Sequence, residues 1–424
     1  MYQKPKGTRD ILPDTIYKWQ KIEKIAKDQA KKFGYEEIRI PTFEHTELFL
    51  RSVGESSDIV NKEIYTFKDK GGRSLSLRPE GTAGVVRAFI ENGLINEMLP
   101  QKYFYFVNNF RYENPQAGRF REHTQFGVET FGIDTPFGEL EVIDLAKSVL
   151  NKIGIKNLIL HINSIGCSNC KPKFNKALKE FADKNATKFC EDCQRRAKTN
   201  PMRMLDCKNE KCQELLKSAP KLEDFLCEDC KNHFQKVLQL LEQNKIDYVI
   251  DKNLVRGLDY YTKTVFEFVC EDIDGTGKKL TACGGGRYDN LVEELGGKSV
   301  SSVGFGMGLD RIVMNLPEIK KPKIDVYFAN AGNLGAEKVY ALTKDLREKG
   351  VKVVCNLIDR SFKSHFKYAE KINAKYICFV GEEEQKTKVY NIKNLRTGRE
   401  IEIEERNLKD FLKNKIKKEN NIWN

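Results

Sequence analysis

The sequence predicts an α+β chain: an antiparallel-sheet core, a helical insertion within it, and a C-terminal α/β domain. Three observations carry this reading. Two aromatic- and valine-rich runs, 102–112 and 124–132, flank a polar segment holding Pro115 and Gly118, the pattern of a long antiparallel hairpin. Between Cys167 and about Asn244 the composition turns lysine-rich, cysteine-rich and mostly helical, as in an inserted module. Beyond the linker-like run 317–322, strand-like and helix-like segments alternate for about 100 residues, as in a separate small α/β domain.

The elements follow in order. After Pro13, the positions Ile16, Trp19, Ile22, Ala26, Ala30 and Phe33 recur at three- and four-residue steps, which predicts a helix ending near Gly34. The chain then extends over 36–41, and a second helix, 83–95, stops around Gly93. The hairpin comes next, followed by a helix over 139–153 and a short buried strand over 158–162. After the insertion, strands cover 261–270 and run from Lys279 into Gly284-Gly285-Gly286, with a turn at Asp274-Gly275 between them. The last domain reads as strand 324–328, a helix through Gly350, strand 351–356, a helix and strand 376–380. The expected limits are 1–321 for the core, 167–244 for the insertion and 322–424 for the C-terminal domain.

A chain of 424 residues has room for two or three domains at roughly 150 residues each, so its cores need no covalent help and a disulfide mini-protein is excluded. No run approaches the roughly 18 uninterrupted apolar residues of a membrane span. The N-terminal Met1-Tyr2-Gln3-Lys4-Pro5-Lys6 has no apolar stretch behind its charges, which predicts no secretory signal and a cytosolic compartment. The excess of 73 Lys+Arg over 61 Asp+Glu, with a basic tail at Lys409, Lys413, Lys415, Lys417 and Lys418, suits a polyanionic partner; a solvated lysine surface accounts for it equally well.

Common nucleotide signatures fail. Gly275-Thr276-Gly277-Lys278-Lys279 imitates a phosphate loop, but Asp272 stands where the first glycine belongs and Lys279 where a magnesium-binding hydroxyl belongs. Gly304-Phe305-Gly306-Met307-Gly308 lacks the dinucleotide spacing, and the five histidines are too scattered for a triad or metal site. What remains is arginine among strand-borne polar groups. Side chains alternate along a strand, so Gln125, Gly127 and Glu129 share one face, the glycine leaving space between two polar arms. Arg111 has the parity of Tyr105 and Asn109, and hairpin pairing brings it to the same surface. Such a face suits a ligand with cationic or donor groups, although an ordinary solvent-facing strand alternates in the same way.

Eight of the twelve cysteines form four pairs: Cys167/Cys170, Cys190/Cys193, Cys207/Cys212 and Cys227/Cys230. In a reducing compartment each pair can supply two corners of a tetrahedron, so the spacing predicts two Zn²⁺ sites of four thiolates each. Reduced cysteines packed as small apolar residues, or redox sensing, are the alternatives.

The motifs carry a resemblance. Asn109-Phe110-Arg111-Tyr112-Glu113-Asn114-Pro115-Gln116-Ala117-Gly118-Arg119-Phe120-Arg121, ending in Gln125-Phe126-Gly127-Val128-Glu129, resembles motif 2 of class II histidyl-tRNA synthetases of the bacterial type. Leu254-Val255-Arg256-Gly257-Leu258-Asp259-Tyr260-Tyr261 is similar to that family's histidine-specific motif, and the run from Gly304 to Leu309-Asp310-Arg311 to its motif 3. Lys6-Gly7-Thr8-Arg9-Asp10, Leu77-Arg78-Pro79-Glu80-Gly81-Thr82 and a motif 1 proline at Pro41 complete the series in order. The resemblance implies a class II antiparallel-sheet catalytic core, an insertion that clasps the tRNA acceptor stem and an α/β anticodon-binding domain. It implies that a cytoplasmic homodimer activates L-histidine with ATP and Mg²⁺ and charges tRNA(His).

By the same resemblance Arg111, Arg256 and Arg311 are catalytic: Arg111 holds the α-phosphate, Arg256 bridges substrate carboxylate and α-phosphate, and Arg311 contacts the γ-phosphate and covers the adenine. Glu113, Arg119 and His123 join Arg111 and Arg311 in the ATP site. Glu80, Gly81, Thr82 and Gln125 surround the histidine ammonium, and Glu129, Tyr260 and Tyr261 line the imidazole pocket, with Arg111 and Arg256 alongside. Gly284, Gly285 and Gly286 let backbone approach the ligand closely or form a bulge, and Arg287-Tyr288 reach toward the same pocket. Gln116 and Arg119 face the tRNA acceptor end. His123 stands where the family often has an adenine-stacking aromatic, and Asn114 replaces a frequent arginine. The resemblance implies no metal in the insertion, so zinc there rests on spacing. A synthetase-like regulatory subunit of ATP phosphoribosyltransferase and a plain RNA-binding protein are the rivals. The first typically lacks the anticodon domain and degrades the arginine motifs; the second needs no histidine pocket.

Overall fold

A computed structural model describes residues 2–54, 57, 59–115, 118–271, 279–330, 336–358, 360–408 and 410–412. The turn at Asp274-Gly275, the phosphate-loop imitation over 275–279, Gln116 and the basic tail lie outside the described residues or at their edge. The chain divides into two units, Met1–Glu318 and Ile319–Asn424, parting inside the linker-like run. Among the described residues no helix is long and apolar enough to cross a membrane.

In the first unit the strands are β1 (Glu36–Glu37), β2 (Phe43–His45), β3 (Thr66–Lys68), β4 (Ser74–Leu77), β5 (Gln101–Phe110), β6 (Glu122–Phe131), β7 (Leu158–Ser164), β8 (Tyr248–Ile250), β9 (Thr262–Glu271), β10 (Lys279–Arg287) and β11 (Ser302–Gly308). Eight of them form one sheet in the order β1-β5-β6-β11-β10-β9-β7-β8, and β2-β4-β3 form a small second sheet. The large sheet is antiparallel inside and parallel only at its outermost pairs, β1 with β5 and β7 with β8. The expected hairpin is β5–β6, in register from Gln101↔Phe131 to Phe110↔Glu122.

Alternation divides the sheet into two faces. Phe104, Phe126, Val128, Phe266 and Phe305 point to one side and pack against Trp19, Ile22 and Ala26 of helix Ile16–Lys32 and Val142, Ile143 and Ala146 of helix Phe137–Ile153. Each large apolar side chain so buried contributes roughly 1.5–3 kcal/mol. The opposite face carries the polar groups described below.

Two expected elements are shorter than their sequence signal, for local reasons. Only Glu36–Glu37 of the extended run pairs as strand, because Arg78 Nη1 donates to Ile40 O (3.0 Å) and Pro41 O (2.8 Å) and so satisfies that backbone with a side chain. The second helix spans Thr82–Glu91 and stops before Gly93, whose φ of +71° no helical residue shares; a 3₁₀ turn, Leu94–Asn96, follows. Within the insertion lie helices Lys171–Lys184, Glu191–Thr199, Glu210–Leu216 and Glu228–Gln243. The last returns Val237 and Leu241 to the main core.

The second unit holds β12 (Ile324–Asn330), β13 (Val353–Cys355), β14 (Ala374–Val380), β15 (Val389–Asn394) and β16 (Glu400–Glu404), ordered β13-β12-β14-β15-β16. The first three are parallel, with helices Ala336–Glu348 and Phe362–Lys371 between them, as the alternation predicts. The antiparallel additions β15 and β16 are unforeseen, since charged residues mask their strand pattern.

Arg287 corrects one expectation. Its guanidinium points away from the pocket face, fully buried, and donates to Glu139 Oε1 (2.8 Å), Ile133 O (2.8 Å) and Thr135 O (3.0 Å). Burial raises the pKa of Glu139, and the bonds and charges of Arg287 and His233 more than reverse this, to about 2. Replacing Arg287 with methionine leaves this carboxylate with only part of its charge compensation, so urea unfolding should show a loss of about 3–5 kcal/mol.

Candidate active site

The pocket face is floored by glycine. Gly127, Gly304, Gly306 and Gly284 lie on three neighbouring strands, with Gly304 opposite Glu129, Gly127 opposite Gly306, and Gly306 opposite Gly284. Each missing side chain is replaced by a neighbour's polar arm. A Cβ at Gly304 would lie 2.1 Å from Glu129 Oε2, one at Gly306 2.1 Å from Gln125 Nε2, and one at Gly284 2.5 Å from the Arg256 guanidinium. A Cβ at Gly127 would lie 2.4 Å from the Tyr105 hydroxyl. Gly284 therefore makes room for a side chain of the protein itself. Gly285 faces the other way, where a Cβ would stand 2.2 Å from Gly304 O, so only glycine allows the strands to approach there.

Glu129 is the hub. Oε1 accepts from Thr82 Oγ1 and Tyr105 Oη, both at 2.8 Å, and Oε2 accepts from Tyr288 Oη. Burial pushes its carboxyl up to about 8 against the pull of these hydroxyls. Tyr260, Tyr261 and Tyr288 close the pocket as buried rings, with centroids 4.7 Å (Tyr260–Tyr261) and 5.6 Å (Tyr260–Tyr288) apart. Gln125 Oε1 accepts from Asn109 Nδ2 at 2.7 Å, so the two strands of the hairpin present these side chains on one face. Glu80, also buried, accepts from Thr82 N (2.6 Å) and Ala83 N (2.8 Å), at the start of helix Thr82–Glu91. Burial raises its pKa while those N–H groups oppose the rise. Tyr105 lies against Gly81 as well as Gly127.

Arg111 follows β5, Arg256 precedes β9 and Arg311 lies in helix Leu309–Met314. Arg256 pairs with Glu267, whose other oxygen accepts from Thr281 Oγ1 (2.8 Å), and Arg311 Nη1 donates to Thr281 O (3.0 Å). Arg111 Nε donates to Pro79 O (2.8 Å), beside Glu80. His123 sits under the influence of Arg111 and Arg311; burial first, then these two cations, bring it down to about 3, so its imidazole is neutral. Glu113 Oε2 is 3.8 Å from Arg119 Nε, and Arg119 is exposed. Gln116 lies outside the described residues.

Further side chains complete the site. Tyr105 supplies a hydroxyl to Glu129, and Glu267 holds Arg256. The N-terminal signature also converges here: Arg9 pairs with Asp310, which accepts from Thr124 N (2.8 Å), and Arg9 lies over the rings of Trp19 (4.7 Å) and Phe120 (4.3 Å). Strand parity places Tyr105 on this face; nothing local flags Glu267.

The eight cysteines of the insertion gather into two clusters, Cys167/Cys170/Cys227/Cys230 and Cys190/Cys193/Cys207/Cys212, each with its sulfurs within 4.8 Å of one another. The outer two pairs join and the inner two pairs join, a pairing that spacing leaves open.

An antiparallel sheet with these arginines at the ends of its strands and on its connections, beside a carboxylate-and-phenol pocket and followed by a separate α/β unit, is the architecture of a class II aminoacyl-tRNA synthetase. The family model "Histidyl-tRNA synthetase" matches residues 7–312 and "Anticodon binding domain" matches 325–415. Histidine–tRNA ligase of Thermoanaerobacter pseudethanolicus is 50% identical over 415 residues, 97% of this chain and 99% of that protein. That of Caldanaerobacter subterraneus subsp. tengcongensis is 49% identical over 404 residues, 94% and 96%. The apo S. aureus histidyl-tRNA synthetase superposes with a TM-score of 0.82 at 36% identity, covering 97% of this chain and all of that one. An ATP phosphoribosyltransferase regulatory subunit/histidyl-tRNA synthetase from Bacillus halodurans C, 23% identical with a TM-score of 0.67 over 90% of this chain and 98% of its own, shares the fold. The chain belongs to the histidyl-tRNA synthetase family.

Glu129 gives a pH test. Its folded pKa of about 8 exceeds the ordinary 4.5, so both states are protonated below 4.5 and the unfolded chain alone ionises between 4.5 and 8. Its contribution to stability therefore falls as pH rises through that window. Glu129→Gln lacks the term, so its stability relative to the parent should rise from pH 5 to 8 by up to about 1.4 kcal/mol per pH unit in urea unfolding. A flat difference would mean that the carboxyl ionises normally.

Proposed function

We propose that the chain is a histidine–tRNA ligase that forms histidyl-adenylate from ATP and L-histidine and then esterifies the 3′-terminal adenosine of tRNA(His). The observation that carries this is the set of three arginines beside the pocket of Glu129: Arg256 and Arg311, linked through Glu267 and Thr281, and Arg111, held on Pro79 O next to Glu80. A regulatory relative has no need of this set, and a plain RNA-binding protein has no need of the pocket.

The chemistry asks for charge and alignment. The histidine carboxylate is already ionised when it attacks the α-phosphorus, so no general base is required; the negative charge that develops on the phosphate must be met by preorganised cations. Arg111 and Arg256 meet it at the α-phosphate and Arg311 at the γ-phosphate, each as a planar fork that stays charged. Mg²⁺ enters with ATP as part of the nucleotide substrate and neutralises pyrophosphate charge. Glu80, Thr82 and Gln125 receive the ammonium above Gly81. Glu129, Tyr260 and Tyr261 read the ring: a neutral imidazole offers one donor and one acceptor, and a carboxyl group with neighbouring phenols satisfies both. An isosteric competitor lacking those nitrogens would leave buried polar groups unpaired. The neutral His123 offers its ring face to adenine, flanked by Glu113 and Arg119, and Gln116 with Arg119 meets the acceptor end of the tRNA. Family membership supports a cytoplasmic homodimer, and the eight-thiol donor set of the insertion supports structural Zn²⁺.

ATP–pyrophosphate exchange run across the twenty amino acids is expected to respond to histidine alone. Exchange with none of them overturns the reading. Arg256→Ala is expected to lower histidine-dependent exchange at least about 100-fold and to leave tRNA binding largely intact; equal loss of both would remove Arg256 from its role.

A further inference from the structure

The insertion touches the 256–261 segment at both ends, and each touch comes from beside a cysteine cluster. Lys171, the residue after Cys170, donates its ammonium to Tyr261 O and reaches Asp259 O at 3.5 Å. Between Cys193 and Cys207 of the other cluster, Asn200 Nδ2 donates to Asp259 Oδ1 (2.9 Å) and Arg203 Nη1 donates to Arg256 O (2.7 Å). Arg203 lies in the 3₁₀ helix Pro201–Asp206, which Cys207 terminates. Met202 and Met204 of that helix are buried in one apolar cluster with Cys207, Cys212, Tyr260 and Tyr261.

The sulfurs are spaced for a tetrahedral ion. A tetrathiolate zinc with Zn–S near 2.3 Å has sulfur–sulfur edges of about 3.8 Å. Here the separations are 3.6 Å for Cys167–Cys170, 3.9 Å for Cys167–Cys227 and for Cys170–Cys230, and 3.8 Å for Cys190–Cys207. Backbone N–H groups also point at sulfur, the kind of outer hydrogen bond that orients metal-bound thiolates: Cys227 N to Cys170 Sγ (3.2 Å), Cys190 N to Cys212 Sγ (3.3 Å) and Asn209 N to Cys207 Sγ (3.4 Å). Neutral cysteines packed as apolar filler have no need of this convergence, and all twelve cysteines are free of disulfides.

We infer that the insertion holds two tetrathiolate zinc ions and that these brace the histidine-pocket segment, the second ion setting the position of Arg256 through Arg203. The bracing rests on the role proposed above for Arg256; the ions do not. Cys193 and Cys207 are held on one ion while the chain between them carries Asn200 and Arg203 to the segment's backbone. Arg203 is thus a positioning residue, acting through the Arg256 carbonyl.

Elemental analysis of the full chain, purified without oxygen, should give about two zinc per chain, and Cys207→Ser about one. A folded, metal-free parent protein overturns the ions. Arg203→Ala keeps all eight thiols, so it should keep both zinc ions. Its kcat/KM for histidine in exchange should fall about 10- to 100-fold, with KM for ATP changed less than about threefold. Arg203→Lys, which retains a donor for the carbonyl, should recover much of the loss. Arg203→Ala at parental kcat/KM overturns the positioning role, and remains decisive if Cys207→Ser fails to fold. A parent protein with two zinc and no histidine-dependent exchange supports the ions and overturns both the functional reading and the bracing.

Discussion

The pocket depends on the absence of Cβ atoms across the middle of one sheet face. Four glycines on β6, β10 and β11 leave a bare strip, and Glu129, Gln125, Arg256 and Tyr105 lie down in it. Such a strip is costly for a strand, since glycine loses the most conformational freedom and brings no side chain to pack. The other face compensates with phenylalanine and valine packed against two helices. One sheet thereby combines a dry, close-packed core with a polar floor, because its side-chain period is two.

Two buried glutamates show how the faces set their chemistry. Glu139, behind the sheet, meets the Arg287 cation and His233 and is held at about 2. Glu129, in front, accepts from hydroxyls in place of a cation and is pushed by burial up to about 8. The same side chain, equally buried, is a fixed anion in one place and a group that exchanges its proton near neutrality in the other. The first suits a structural clamp. The second suits a group that must match the donor and acceptor pattern of a titratable ligand.

Much of this was legible along the chain. The helix of 16–32, the β5–β6 hairpin and the shared face of Tyr105, Asn109, Gln125 and Glu129 follow from apolar spacing and strand alternation, which are local properties. The family followed from motifs in order. Arg287 takes the face of Gly285 and Tyr288 that of Gly284, as strand alternation requires, but the sequence does not show which of those faces carries Glu129. The pairing of Arg9 with Asp310 and of Arg203 with Arg256 O joins residues with no sequence relation, and no periodicity announces them.

The sequence by itself determined the long amphipathic helices, the central strands and the residue types available for catalysis, since these depend on spacing within a few residues. Tertiary structure alone decided which cysteines share a cluster, which polar arm lies in which glycine gap, and that the insertion reaches back to Arg256. Those outcomes depend on distances between segments far apart in the chain, and such distances exist only once the sheet has closed and its two faces have been filled.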